Sequence, residues 1–239
     1  MDAGINPNSE LDQSVVSVPN LVKVPRDLLS QAREFQEAIV IYNCAIRAVK
    51  TKLEVLNDEL SVRNQRNPIE MIKSRVKKPV SIVEKLRRRN LPVTVESMVS
   101  HLDDVAGIRV ICSFLDDIYA VANMLVNQDD VTVIVIKDYI KHPKENGYRS
   151  YHLIIEIPVY LSDRKENVRV EVQIRTIAMD FWASLDHQLK YKKNIGDAAR
   201  EIGDELRQCA EVIAETDQWL QEIRKSIEAR ERMHSQTMA

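Results

Sequence analysis

Apolar side chains form a regular stripe near the start of the chain. From Leu28 to Leu60 they recur at alternating spacings of four and three residues, the repeat of one helix face in contact with a partner. The stripe predicts a long helix over residues 25–62, after a polar, flexible tail over 1–24. The pattern does not decide whether that partner is the chain's own domain or a second subunit.

Two helix-start patterns follow the stripe. Residues 67–70 (Asn-Pro-Ile-Glu) have the residue types and spacing of a capped helix start, which predicts a short helix that ends near Arg75. Residues 81–84 (Ser-Ile-Val-Glu) have the capping-box pattern and predict a second helix that runs to about Asn90. Arg75 and Lys77 are therefore expected in the linker between these helices.

Runs of β-branched residues mark the middle of the chain as a sheet. They predict four strands, over residues 107–114, 131–137, 151–159 and 167–175, with a helix over 115–127 between the first two. The last two strands are expected to form an antiparallel hairpin. Helical periodicity then returns over 178–192 and from Ala198 to Ile227. The predicted fold class is α+β, with a mixed, mainly antiparallel sheet flanked by helices and long helices at both ends.

Composition removes several classes of site. Only 5 of the 239 residues are glycine, and they are too scattered for a Walker loop or a dinucleotide fingerprint, which bring backbone amides to phosphate. Any phosphate must therefore be held by side chains. The three cysteines show no CxxC spacing, which argues against a zinc ribbon and favours a reducing, cytoplasmic setting. No apolar run has the length of a signal peptide core or membrane span.

Positive charge is concentrated in one segment. The chain carries a net charge of −2, yet residues 63–90 hold ten basic and two acidic side chains, a local charge of +8. Lys85 and Arg88 share one side of the second predicted helix, since they are three residues apart. The segment predicts a polyanionic ligand, either a nucleoside triphosphate or RNA. A solvated helix face is the alternative interpretation.

Two carboxylates stand near this basic segment in the predicted fold. Asp104 immediately precedes the strand that carries Arg109. Alternation along residues 167–175 places Glu171 on the face opposite to the apolar side chains. Oxygen ligands beside a basic cradle suit Mg²⁺, which bridges them to substrate phosphates. An ordinary solvent-facing side of the hairpin is the alternative.

The segment 137–152 interleaves lysines and an arginine with three tyrosines. A ring that stacks on a base, beside cations that reach its phosphates, is typical of nucleotide recognition. Tyr148 is the candidate for stacking, whereas Tyr151, at a strand start, is expected to be a core aromatic. His152 directly follows the segment, and a purely structural histidine is the alternative there.

Four blocks stand in order along the chain: RVKKPVSIVEKLRRR (75–89), DDVAGIRVICSF (103–114), KDYIKHPKENGYRSYH (137–152) and EVQIRTIAMDFWASLDH (171–187). Together they resemble the synthetase domain of the RelA/SpoT family, specifically its stand-alone small alarmone synthetases. The third and fourth look closer to the RelP branch than to the RelQ branch. The resemblance implies a nucleotidyltransferase-like catalytic domain over 63–195 and a C-terminal helical extension over 196–239 that serves oligomerisation.

The resemblance implies a GTP pyrophosphokinase of the stringent response. It would transfer the pyrophosphoryl group of ATP to the 3′-hydroxyl of GDP or GTP, giving ppGpp or pppGpp and AMP, with Mg²⁺ as cofactor. It also implies a homotetramer and no hydrolase activity. Asp104 would bind the metal, and Glu171 would share it, activate the acceptor hydroxyl, or both.

The resemblance also assigns binding residues on two sides of the reaction. Arg75 and Arg109 would sandwich the adenine of ATP, and four further residues would hold its phosphates: Lys77, Ser81, Lys85 and Arg88. The GDP or GTP acceptor would be bound by Lys137, Lys144, Asn146, Tyr148, His152 and Asp180, with Tyr148 stacked on the guanine.

One departure and two alternatives accompany this interpretation. Asp186 stands where the family usually has glutamate, so the side chain there is one methylene shorter. This departure puts a supporting role for the position in doubt and alters none of the proposed ligand-binding residues. An enzyme of the same fold could instead pyrophosphorylate the 3′ end of tRNA. A non-catalytic module could bind RNA or nucleotides through the basic segment. RNA binding is compatible with catalysis but is not expected to be required for it.

Overall fold

The computed structural model describes residues 26–64, 66–190 and 199–237, so the predicted tail over 1–24 lies outside the described residues. The helices are α1 (Arg26–Asn64), α2 (Pro79–Arg88), α3 (Val95–His101), α4 (Leu115–Val126), α5 (Ile177–Lys190) and α6 (Ala199–Thr237). The strands are β1 (Ile69–Val76), β2 (Ala106–Cys112), β3 (Thr132–Asp138), β4 (Tyr151–Tyr160) and β5 (Lys165–Thr176). No helix within the described ranges is long and apolar enough to cross a membrane.

The five strands form one sheet in the order β1-β2-β5-β4-β3. β2 and β5 are parallel, and the pairs β1–β2, β4–β5 and β3–β4 are antiparallel. The hairpin predicted for the last two strands is therefore present. The sheet is mixed and mainly antiparallel, and long helices lie at both ends of the chain, which confirms the predicted fold class.

The stripe on α1 packs against the chain's own sheet. Tyr42, Val49 and Leu53 are buried in the main core, together with residues of β2, β4 and β5. α4 lies against the same face, where Ile118 and Val121 are fully buried. The partner of this helix face is therefore the chain's own sheet and not a second subunit, because its apolar side chains are already covered.

The prediction of a short helix that ends near Arg75 is wrong, because this segment is the edge strand β1. Its residues pair with β2 from Ile69 opposite Cys112 to Val76 opposite Ala106. The Glu70 carboxylate, expected to cap a helix, instead accepts a hydrogen bond of 2.7 Å from the Ser113 hydroxyl. Pairing with a neighbouring strand overrides the local helix-start pattern, which carries little free energy by itself.

The start of α2 also differs from the prediction. Lys78 occupies the N-cap position, Pro79 opens the helix and no side chain caps it, so Ser81 lies in the first turn and not at the cap. Proline at the first position suits a helix start, since it has no N–H to satisfy. The short helix α3 was not predicted. It begins after Thr94, whose hydroxyl accepts a hydrogen bond from the Ser97 amide.

Candidate active site

One face of the sheet carries polar side chains on all five strands, and the register of the strand pairs places these side chains next to one another. The opposite face holds the apolar core, so the polar face is the open one. The pairing brings Arg75 opposite Gly107, Gly107 opposite Glu171, Arg109 opposite Gln173, Gln173 opposite His152, and His152 opposite Lys137. Arg75 therefore lies on β1 and not in a linker, and the strands bring distant predicted residues to one surface.

A cleft on this face, which we call the donor cleft, has an empty volume of about 640 Å³. Four of the predicted site residues line this cleft: Arg75 on β1, Asp104 just before β2, Arg109 on β2 and Glu171 on β5. The cleft thus joins the two arginines predicted for adenine with the two carboxylates predicted for metal. Lys73 and Gln173, which sequence reasoning did not assign, also line it.

Asp104 is held between two lysines at this cleft. Its Oδ2 atom lies 3.0 Å from Lys77 Nζ and 2.7 Å from Lys85 Nζ. Burial acts to raise the pKa of Asp104, but the ammonium groups of Lys85 and Lys77 outweigh it and hold the pKa below its ordinary value. The residue is therefore a carboxylate at neutral pH, and both lysines contact a side chain that lines the cleft.

The carboxylates fit a divalent cation. The Oδ1 atom of Asp104 is buried and has no hydrogen-bond partner, so one oxygen remains free to accept a ligand. Glu171 lines the same cleft, and two hard oxygen donors are what Mg²⁺ uses when substrate phosphates complete its shell. No group of three or more His, Cys, Asp or Glu side chains that could hold a metal by themselves occurs in the described ranges.

Glu171 is linked to the 137–152 segment through a chain of hydrogen bonds. Arg175 Nη2 donates to the Tyr148 hydroxyl at 2.5 Å, and the Tyr148 oxygen lies 2.8 Å from His152 Nε2. His152 Nδ1 in turn lies 3.5 Å from Glu171 Oε1. Since the Tyr148 oxygen accepts a hydrogen bond from Arg175, its own O–H donates to Nε2 of His152. The neutral histidine then carries its hydrogen on Nδ1, toward Glu171.

The protonation states of His152 and Glu171 agree with this direction of the hydrogen bonds. Burial lowers the pKa of His152 below its ordinary value, in spite of the neighbouring Glu171 carboxylate, so the ring is neutral at neutral pH. Burial acts to raise the pKa of Glu171, yet the contacts of His152 and Gln173 hold it below its ordinary value. The carboxylate is therefore available as a proton acceptor, which a general base requires.

A second cleft, which we call the acceptor cleft, adjoins the first and has an empty volume of about 1340 Å³. Arg75, Arg109 and Gln173 line both clefts. Tyr148 and Arg175 line only the acceptor cleft, together with residues of α5. Lys144 places its ammonium group 4.7 Å from the centre of the Tyr148 ring, a distance at which a cation is attracted to the ring face.

Asp180 joins three cations that line the clefts. Its carboxylate lies 3.1 Å from Arg109, 3.3 Å from Arg175 and 3.3 Å from Lys73. The residue is buried, with 8% of its surface exposed, so the contacts fix the directions of the guanidinium groups. Asp180 was predicted for the acceptor, and its contacts orient an arginine of each cleft.

Not all predicted residues lie in the clefts. Nine predicted residues are not among those that line either cleft: Lys77, Ser81, Lys85, Arg88, Lys137, Lys144, Asn146, His152 and Asp180. Asn146 accepts a hydrogen bond from the Tyr148 amide at 3.2 Å, so it shapes the loop. Asp186 Oδ2 accepts a hydrogen bond of 3.5 Å from Asn146 Nδ2, so this position contacts one of the predicted acceptor residues.

Sequence reasoning missed the importance of Arg175. It is buried, with 3% exposed, and it contacts Tyr148, Asp180, Gln173 and the Ser150 hydroxyl. Burial lowers the pKa of this guanidinium, but an arginine remains charged at neutral pH. The alternation that selected Glu171 also places Arg175 on the same strand face, and that signal could have identified it.

The fold and this site define a class of protein. A basic, side-chain-built cleft with paired carboxylates, next to an aromatic pocket, is typical of enzymes that transfer phosphoryl groups between nucleotides. Comparison with known proteins agrees, because residues 74–196 match the family model described as "Region found in RelA / SpoT proteins". GTP pyrophosphokinase YwaC of Bacillus subtilis is 45% identical over 202 residues, 84% of this chain and 96% of the relative.

Solved structures agree with the sequence comparison. The small alarmone synthetase 2 of Bacillus subtilis gives a TM-score of 0.71 at 46% identity, covering 79% of this chain and 97% of that one. The small alarmone synthetase 1 of the same bacterium, bound to its product pppGpp, gives 0.72 at 36% identity, with 82% and 99% covered. The chain belongs to the RelA/SpoT family, whose pyrophosphokinases generally need a divalent metal ion.

Proposed function

We propose that this chain is a GTP pyrophosphokinase that transfers the β,γ-pyrophosphoryl group of ATP to the 3′-hydroxyl of GDP or GTP. The products are AMP and ppGpp or pppGpp. One observation carries the proposal: Asp104 and Glu171 face one cleft, with lysines beside the first carboxylate and the Tyr148 segment joined to the second. We take residues 63–195 as the catalytic domain and 196–239 as its helical extension.

The donor cleft suits ATP. Arg75 and Arg109 present planar guanidinium groups, which stack on a base and keep their charge. Lys77 and Lys85 already contact Asp104. The incoming phosphates would pair with these lysines and the cation with this carboxylate, so ATP binding would use a cluster of charges that is already assembled. Ser81 and Arg88 on α2 would extend this phosphate site. Mg²⁺, held by Asp104 and Glu171, would neutralise charge on the transferred group.

The acceptor cleft suits a guanosine nucleotide. Tyr148 would stack on guanine at the face that Lys144 now approaches, while Lys137 and Arg175 offer positive charge to the phosphates. Glu171 would accept the proton of the 3′-hydroxyl as the bond to the β-phosphorus forms and the bond to the α-phosphate oxygen breaks. His152 would hold the carboxylate in place. Asp180 and Asn146 would keep the arginines and the loop in position.

The test is a product assay with a matched control. Purified protein with ATP, Mg²⁺ and GDP or GTP should yield AMP and the 3′-pyrophosphorylated nucleotide, resolved by anion-exchange chromatography. Glu171→Gln should lower kcat at least about a hundredfold, since general-base catalysis contributes on that scale. Glu166→Gln, a surface carboxylate on the same strand that pairs with Arg164, should leave kcat unchanged.

Two results would contradict the proposal. The first is the absence of product from the wild-type protein with either acceptor. The second is transfer of label from ATP to the 3′ end of tRNA, in a parallel reaction, with no transfer to GDP or GTP.

Nuclease treatment of the enzyme should not change the rate of product formation, because we propose that RNA is not required.

We further propose a homotetramer that works in the cytoplasm. The C-terminal helix exposes large apolar residues that its own domain does not cover, among them Trp219 at 63% and Ile223 at 56% exposure. Such residues on one helix are typical of a protein interface. The three cysteines are unpaired, which suits a reducing compartment.

A further inference from the structure

A small apolar cluster lies apart from the main core, between α5 and α6. It is built from Trp182, Leu206 and Ala210, and the ring of Tyr148 packs against it from the 144–149 segment, which we call the acceptor loop. Trp182 is 5% exposed and Ala210 is 4% exposed. The ring of the residue proposed to stack on guanine therefore rests on the C-terminal helix, while its hydroxyl contacts His152 and Arg175 of the sheet.

The acceptor loop touches this helix with its backbone. Gly147 has φ of +84°, a conformation that other residues rarely adopt. A Cβ atom added at Gly147 would lie 2.6 Å from the Cβ of Ala210 and 3.3 Å from the Cα of Arg207. A glycine and an alanine thus face each other at the closest approach of loop and helix, and no larger residue fits at either position without moving one of them.

Hydrogen bonds fix the same contact. Arg149, at the end of the acceptor loop, donates to the main-chain carbonyl of Ala210 at 3.0 Å. Trp182 of α5 donates to the carbonyl of Leu206 at 2.9 Å. The two acceptors are four residues apart, so they lie on one face of α6. Loop and α5 are therefore attached to neighbouring turns of one helix.

A third attachment lies further along α6. The Thr176 hydroxyl donates to Asp217 at 2.5 Å and accepts from the Met179 amide at 3.1 Å. Thr176 follows Arg175 directly and begins the turn that carries Asp180. The donor cleft is built differently, since its lining residues belong to β1, β2 and β5 and to the residue Asp104 before β2.

We propose that Ala210 is a positioning residue for the acceptor: α6 sets the place of the acceptor loop, and the small side chain at this position lets Tyr148 reach its working position. This inference rests on the proposed function, which assigns the loop to GDP or GTP. Enlarging Ala210 pushes the loop and Tyr148 away from α6 and weakens acceptor binding. ATP binding is unchanged, because the donor cleft is supported by the sheet.

The first test is kinetic. Ala210→Val should raise KM for GDP and GTP roughly tenfold, since small displacements of a positioning element have effects of this order or larger. KM for ATP should stay within about twofold of the wild-type value. Ala229→Val, the same change at an exposed position of α6, should alter neither. Equal rises in both KM values, or no rise for the acceptor, would overturn the proposal.

The second test is a rescue. Gly147→Ala should raise the acceptor KM, and adding Ala210→Gly should recover part of the loss, because it removes the 2.6 Å conflict. The positive φ of residue 147 remains, so recovery is incomplete. A double variant no better than Gly147→Ala alone would contradict a direct contact between loop and helix.

A third measurement separates this inference from the proposed function. Hydrogen exchange of the amides at 144–149 should be faster in Ala210→Val than in the wild type or Ala229→Val, with α2 amides unchanged. This readout needs no turnover. A wild-type protein that makes no alarmone would defeat the proposed function, yet unchanged exchange in Ala210→Val would separately defeat the positioning role.

Discussion

Neighbouring side chains decide the roles of Glu171 and His152. His152 is buried and Glu171 is half-buried, so each would be costly as an isolated charge. The hydrogen bonds of His152 and Gln173 keep Glu171 ionised, whereas burial keeps His152 neutral. The pair therefore combines an ionised carboxylate with a neutral ring at neutral pH, and Tyr148 and Arg175 complete the chain of contacts. Residue identity alone does not specify this division of labour.

The lowered pKa of His152 predicts a pH dependence of stability. The unfolded histidine titrates near 6.5, whereas the folded one resists protonation, so the unfolded state binds more protons as pH falls below that value. Stability should therefore drop between pH about 7 and about 5. The corresponding contribution of Glu171 is lost at lower pH, as pH falls below its ordinary value of 4.5 and through its lower folded pKa.

The measurement compares thermal melts of three proteins at both pH values. His152→Gln should lose less stability on acidification than the wild type, by roughly 2–4 °C in Tm if about 1 kcal/mol is involved. His142→Gln, at an exposed site of the same segment, should behave as the wild type. Identical acid sensitivity in His152→Gln and the wild type would show that this histidine does not titrate with folding.

Helix α1 and strand β1 show where sequence patterns work and where they do not. A repeat sustained over the whole of α1 predicts its helix correctly, because every turn contributes the same preference. The capping pattern at 67–70 involves four residues and is overridden by pairing with β2. Similarly, the strands of the middle segment were predicted, but their order β1-β2-β5-β4-β3 depends on contacts that local patterns do not contain.

Packing of α1 on the sheet predicts a large effect for Leu53→Ala. This side chain is fully buried, so truncation should lower the free energy of unfolding by about 2–5 kcal/mol through lost burial and the cavity left behind. Val55→Ala, on the same helix but 60% exposed, should change it by less than about 0.5 kcal/mol. Urea unfolding measures both, and similar effects for the two variants would contradict the packing of α1.

At the scale of the whole molecule, α6 connects several parts of the protein. Its middle supports the acceptor loop and α5, and Arg224 further along lies 2.9 Å from Asp116 at the start of α4. Its remaining face presents apolar residues to solvent, including Val212, Trp219 and Ile223. One helix thus joins the proposed acceptor site to the surface proposed for assembly.

This exposed face predicts that a single added charge will weaken assembly. Trp219→Glu should lower the mass in light scattering at micromolar concentration, since a charge replaces a large apolar contact. Gln218→Glu adds the same charge at the adjacent exposed position and should keep the wild-type mass. A wild-type protein that is monomeric under these conditions would contradict the tetramer, and an unchanged mass for Trp219→Glu would contradict the role of this face.

The sequence by itself determined the fold class, most element positions and the concentration of basic charge in one segment, because helical and strand periods and clustered charges are local properties. It placed Arg109, Glu171 and Tyr148 in ordered motifs, with charge and aromatic character suited to nucleotides. Only the tertiary structure decided that residues 69–76 form a strand, that Arg175 joins Tyr148 to Asp180, and that Ala210 faces Gly147. These features depend on residues far apart in the chain, whose contact energies exist only once the sheet and helices have packed together.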